Sequence, residues 1–102
     1  MKNYYKLVRD KIPEIIEADN KRCEIEIVDN KKKYELLKNK LEEEVNEFLA
    51  DENLEELADV LEVLVGLANS LGYTEEELME KRVAKMQERG GFNKGIILKK
   101  VL

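Results

Sequence analysis

Residues 43–59 read Glu43-Glu44-Val45-Asn46-Glu47-Phe48-Leu49-Ala50-Asp51-Glu52-Asn53-Leu54-Glu55-Glu56-Leu57-Ala58-Asp59. Upstream, Tyr34, Leu37, Leu41, Val45 and Phe48 recur at spacings of three and four, which predicts a helix from about Lys31 to Ala50. Downstream, Leu54, Leu57, Ala58, Leu61, Leu64, Val65, Ala68 and Leu71 cover one wide face of a second helix, from about Asn53 to Leu71, stopped by Gly72. Asp51 and Glu52 alone separate the two patterns. So short a link brings the helices back antiparallel, as an αα-hairpin.

The hairpin is acidic. No Lys or Arg occurs from Leu41 to Tyr73, whereas Glu42, Glu43, Glu44, Glu47, Asp51, Glu52, Glu55, Glu56, Asp59 and Glu62 all do. Most such residues form a solvated face, and helical angle separates some from the rest. On the second helix, Val60, Val63 and Leu67 extend the apolar surface around a further side. Glu56 projects between Val60 and Val63, and Asp59 lies at that edge. On the first helix, Glu44 borders the apolar stripe, with Glu47 beside it. A turn centred between Asp51 and Glu52 sets Glu47 opposite Glu56 and Glu44 opposite Asp59. Four carboxylates converging without a cation repel one another and force protonation. A hard divalent cation with oxygen ligands resolves the conflict, Mg²⁺ first and Mn²⁺ as a substitute.

Outward from the hairpin, Thr74 and Glu77 form a capping box that opens a third long helix, ended by Gly90-Gly91. Pro13 sits in the first turn of a short helix from about Ile12 to Ala18. Cys23 to Val28 alternate apolar and acidic residues, the period of a half-buried strand, and Gly95 to Leu102 form a second candidate strand. Tyr4–Val8 is a third. Together they predict a small sheet, with strands near 23–28 and 95–101, that fastens the chain ends. The expected fold is therefore mainly α: a single domain over 1–102, a helical bundle built on the acidic hairpin with a small terminal β-sheet.

Composition narrows the chemistry. The absence of histidine removes an imidazole base, a Ser-His pair and a His-ligated zinc. A single cysteine, Cys23, forms no internal disulfide, and no apolar run approaches the roughly 20 residues that span a bilayer. These features predict a soluble, cytoplasmic domain. A net charge of −5 disfavours binding to a nucleic-acid polymer. If the chain is an enzyme, carboxylates and amines do the work.

The acidic pattern resembles the all-α nucleoside triphosphate pyrophosphatases of the MazG type, a superfamily that includes phosphoribosyl-ATP pyrophosphohydrolase. Its E-E-x-x-E reads here Glu43-Glu44-Val45-Asn46-Glu47, and its E-x-x-D reads Glu56-Leu57-Ala58-Asp59. Leu7-Val8-Arg9-Asp10-Lys11-Ile12-Pro13 near the start, and Arg89-Gly90-Gly91-Phe92 followed by Gly95-Ile96-Ile97-Leu98 near the end, are similar to a subgroup of house-cleaning pyrophosphatases that clear noncanonical nucleotides. The linker between the two acidic motifs is shorter here than the superfamily usually has, and Val83 stands where many members carry a polar residue.

The resemblance implies that Glu44, Glu47, Glu56 and Asp59 hold Mg²⁺ over a nucleoside triphosphate. Water attacks the α-phosphorus, giving a nucleoside monophosphate and pyrophosphate, with Glu43 or Glu47 deprotonating or orienting the water. Lys81, Lys85 and Arg89, stacked on the last helix, are candidate phosphate holders, joined by Arg9 and Lys11 if the N-terminal segment folds over the site. It also implies a homodimer or homotetramer; a hairpin apolar on more than one side cannot bury all that surface within 102 residues, which makes Val60, Val63 and Leu67 candidate interface residues. The alternative is a non-enzymatic acidic helical module that binds a basic partner protein and needs no metal.

Overall fold

The computed structural model describes residues 4–102. Four helices follow one another: α1 (Ile12–Ala18), α2 (Asn30–Ala50), α3 (Leu54–Ser70) and α4 (Glu75–Arg89). Their ends have local causes. Asp29 caps α2 by accepting from the Lys32 N–H at 2.8 Å, and Asn53 caps α3 by accepting from the Glu56 N–H at 2.9 Å. Thr74 and Glu77 close the expected capping box at the start of α4. After α3, Gly72 adopts φ +95°, and the N–H groups of Tyr73 and Gly72 return to the carbonyls of Ala68 and Asn69. That pairing is a Schellman motif, which needs a left-handed residue where glycine stands.

Residues 51–53 turn α2 back onto α3, which packs along it, and α4 packs on α3. Asn30 Nδ2 donates to the Ser70 carbonyl at 3.0 Å, tying the open ends of the hairpin together. Leu37 and Gly66, which are symmetric about the turn, meet inside: a Cβ built on Gly66 would lie 3.2 Å from Leu37 Cδ2. The missing side chain lets the two helices approach there. Register and turn therefore agree along the whole hairpin.

Two expectations are corrected. Among the described residues there is no strand. Residues 23–28 run between α1 and α2 without a partner, Ile27 is 90% exposed, and Ile96 to Leu102 lie in solvent. The period-2 pattern is present, but a strand needs a neighbour to pair with, and this chain brings none alongside. The second correction concerns α3. Val63 is buried and Val60 and Leu67 are half-buried, whereas Leu54, Leu57, Leu61 and Leu64 are exposed. The sector expected at a subunit interface is the one that turns inward with Glu56, whereas on the wide face Val65 and Ala68 are buried and Leu54, Leu57, Leu61 and Leu64 are left open. The register set by the tight turn and by the Leu37–Gly66 contact decides which sector α2 covers.

Little apolar surface is buried as a result. Among the described residues the buried hydrophobic side chains are Leu37, Val63, Val65 and Ala68. The accessible surface is 9614 Å² for an 11.9 kDa chain, against about 5,900 Å² expected of a compact monomer of that mass. The radius of gyration is 17.9 Å, where about 13 Å is usual for this length. No helix among the described residues is long and apolar enough to cross a membrane.

Candidate metal centre

The carboxylates gather near the closed end of the hairpin. α2 contributes Glu43, Glu44 and Glu47 within little more than one turn, and α3 contributes Glu56 and Asp59 one turn apart. Glu44 points inward and is only 7% exposed. One oxygen each from Glu44, Glu56 and Asp59 lies within 4.8 Å of the others, and the same holds for Glu43, Glu44 and Glu47. Glu44 is common to both triads, so it joins the two helices electrostatically. Oxygens in an octahedral Mg²⁺ shell, with bonds near 2.1 Å, stand roughly 3–4 Å apart.

Among the described residues, three cations border the group. Lys40 Nζ lies 3.4 Å from Glu44 Oε1 and 3.7 Å from Glu43. Lys6 reaches Glu43 at 3.6 Å, and Arg9 Nη2 donates to Asp59 Oδ1 at 2.6 Å. Two carboxylate oxygens are nonetheless buried without a partner: Glu44 Oε2 and Glu56 Oε2. A buried anionic oxygen with neither donor nor cation is costly. These two sit in the triad that also holds Asp59.

The acids disturb one another. The Glu47 carboxyl is held above the ordinary carboxylate range, first by a hydrogen bond with Glu44 and then by the Glu44 charge, with smaller contributions from Glu43 and Glu56. Glu56 is also raised, first by desolvation and then by Asp59, Glu44 and other nearby acids. Repulsion of this kind is what bound positive charge removes.

The expected quartet is thus divided. Glu44, Glu56 and Asp59 converge, while Glu47 is exposed and joins them only through Glu44. Glu43 lies beside Glu44, half-buried, between Lys6 and Lys40. Of the basic candidates, Arg9 is at the site, on Asp59. Lys11 is exposed at the N-cap of α1, where its carbonyl accepts from the Ile15 N–H. Lys81, Lys85 and Arg89 are exposed on α4 and form no ion pair with the acids. α4 packs on α3 and does not reach α2, which keeps those three cations off the α2 carboxylates.

Two contributors escaped the sequence reading. Lys40 stands just before the lysine-free stretch, and its i+3 and i+4 positions are Glu43 and Glu44, a spacing that signals a pair on a helix. Lys6 carries no local signal, because only the path of the N-terminal segment brings it to Glu43. The chain matches no known family model, no curated protein and no solved structure. What the site can hold is decided by its own donor set. Oxygen-only ligands with buried, unpartnered carboxylates fit a hard divalent cation and exclude a soft, thiolate-preferring one.

Proposed function

We propose that this chain is a Mg²⁺-dependent nucleoside triphosphate pyrophosphohydrolase of the MazG type, with Mn²⁺ as a substitute ion. The observation that carries the reading is the pair of buried, unpartnered oxygens on Glu44 and Glu56, converging with Asp59 from the two arms of the hairpin. Glu44, Glu56 and Asp59 would hold the ion, with Glu47 reached from the neighbouring triad. The ion would screen the roughly four negative charges of a triphosphate and stabilise charge developing on the phosphate oxygens.

The residues divide the remaining work. Glu47, raised in proton affinity and exposed, is suited to take the proton from the attacking water, with Glu43 beside it as the alternative base. Water attack at the α-phosphorus breaks the α–β anhydride, and the electron pair leaves with pyrophosphate. Arg9 is placed to meet a phosphate bound over Asp59. Lys81, Lys85 and Arg89 are exposed cations free for phosphate in an assembly that brings α4 to a site. The preferred substrates would be noncanonical nucleotides, on the resemblance of both chain ends to house-cleaning members.

The test is a panel of canonical and damaged nucleoside triphosphates with Mg²⁺, read for pyrophosphate against single phosphate. Pyrophosphate release from at least one nucleotide, abolished by chelation, is expected. Silence across the panel would favour the acidic module that binds a basic protein. Single-phosphate release would place the cleavage at the wrong bond.

A homodimer or homotetramer belongs to the same proposal. The surface in excess of a compact monomer is supported by the open face of Leu54, Leu57, Leu61 and Leu64 and by the exposed tail from Phe92 to Leu102. Contiguous exposed apolar side chains of this kind are what an interface between copies would cover. Sedimentation equilibrium should return a dimer or larger, and Leu57→Glu with Leu61→Glu should dissociate it. A wild type that sediments as a monomer would remove this part of the proposal.

A further inference from the structure

The cations at the carboxylate group are of two kinds. Lys40 is built into α2, one turn before Glu44, and moves with it. Lys6 and Arg9 arrive on the segment that precedes α1, and α1 packs on no other helix and buries no residue. What ties this segment to the hairpin includes Lys6 on Glu43, Arg9 on Asp59 and the Lys32 ammonium 5.9 Å from the centre of the Tyr5 ring. The Arg9–Asp59 partners are half-exposed, with side chains 53% and 41% accessible. Exposed pairs of this sort hold weakly, because solvent screens them. The Lys6 and Arg9 contacts are therefore charge contacts, and a change of charge at the acids can release them.

Asp59 is where two ligands conflict. It is one of the three convergent acids from the two helices, and its Oδ1 already accepts from Arg9. An ion held at Asp59 would set a second positive charge beside the Arg9 guanidinium and weaken its hold on that carboxylate. Arg9 uses one N–H on Asp59 and forms no other hydrogen bond among the described residues. Five N–H groups in a planar fork then suit a bidentate hold on a phosphate.

We propose that residues 4–11 form a basic strap whose Arg9 neutralises Asp59 in the ion-free site and transfers to the phosphate of the ligand when a divalent cation enters. This rests on the ion-binding reading above and assigns Arg9 as a positioning residue for phosphate. The exchange makes opposite demands on one side chain. Arg9 competes with the ion alone and cooperates with the ion plus phosphate. Linkage makes both effects reciprocal, so bound Mn²⁺ weakens the hold of Arg9 on Asp59 as much as Arg9 weakens that of Mn²⁺.

The experiment is calorimetric titration of the full metal-free chain and its Arg9→Gln variant, first with Mn²⁺ alone, then with inorganic tripolyphosphate in saturating Mn²⁺. Arg9→Gln is expected to bind Mn²⁺ several-fold more tightly and tripolyphosphate at least tenfold more weakly, with Arg9→Lys in between on tripolyphosphate. Unchanged affinities would reduce Arg9 to a surface ion pair and overturn the exchange. Weakening of both, with a lower melting temperature, would show a purely structural role and overturn it as well. Mn²⁺ binding by the wild type together with either result leaves the metal centre standing. Absence of Mn²⁺ binding in wild type and variant alike removes the metal centre, and the strap with it.

Discussion

Glu44→Gln is expected to lower Mg²⁺-dependent pyrophosphate release by about two to three orders of magnitude, the range seen when one preorganised electrostatic group is removed from a site. Glu44 is the acid for which the loss should be largest, because it belongs to both triads and is the most buried of the group. The substitution keeps the size and removes the charge. Lys40, which pairs with Glu44 at 3.4 Å, keeps Glu43 at 3.7 Å, so no buried cation is stranded. The hairpin should remain folded by circular dichroism. Glu62→Gln, an exposed acid on α3 outside both triads, should change the rate by less than about twofold. Equal effects at 44 and 62 would mean that net acidity, and not a defined ligand set, produces the activity. A binding module predicts no rate to lose.

The second large effect is on stability, and its sign depends on the ion. In the ion-free protein Glu56 carries a raised proton affinity, from desolvation first and then from Asp59 and Glu44. A carboxyl whose proton affinity is higher folded than unfolded binds more protons in the folded state, so stability falls as pH rises through its titration range. At neutral pH the charge on Glu56 is therefore a cost, and Glu56→Gln should raise the melting temperature by a few degrees. Below about pH 4, where the carboxyl is protonated in both states, the variant and wild type should converge. Glu47 is displaced in the same direction and adds to the same slope.

Divalent ions should reverse the order. A ligand at a hundredfold excess over its Kd stabilises the folded state by about 2.7 kcal/mol, which for a chain of this length corresponds to roughly 10 °C or more in Tm. Wild type should show this shift with Mn²⁺, and Glu56→Gln should lose most of it. The two melting curves would then cross as Mn²⁺ is added. A Glu56→Gln protein that is less stable than wild type without metal, across neutral pH, would mean that Glu56 is satisfied in the fold and is not waiting for an ion.

The features legible in the sequence are those with local causes. The hairpin follows from two apolar repeats and the length of residues 51–53. Asn53, Thr74 with Glu77 and Gly72 mark helix ends because each satisfies backbone groups within a few residues of itself. The pairing of Glu44 with Asp59 across the turn is equally local, since a tight turn leaves little freedom of register. The i+3 and i+4 spacing marks Lys40 as a partner of Glu43 and Glu44.

Tertiary structure decided the rest. Whether Val60 or Leu57 faces α2 depends on how α3 rotates about its axis, and a helix apolar on two sides does not reveal this. Gly66 against Leu37 settles it, through contact between residues far apart in the chain. Strands at 23–28 and 95–101 required neighbours that the chain does not bring to them, since period-2 alternation records a preference for pairing and not a partner. The division of the acids into two triads, and the arrival of Lys6 and Arg9 over them, depend on distances of a few ångströms between segments separated by some tens of residues. Local hydrogen bonding and turn length are written within a window of several residues; burial and charge pairing are set by whatever else reaches the same place.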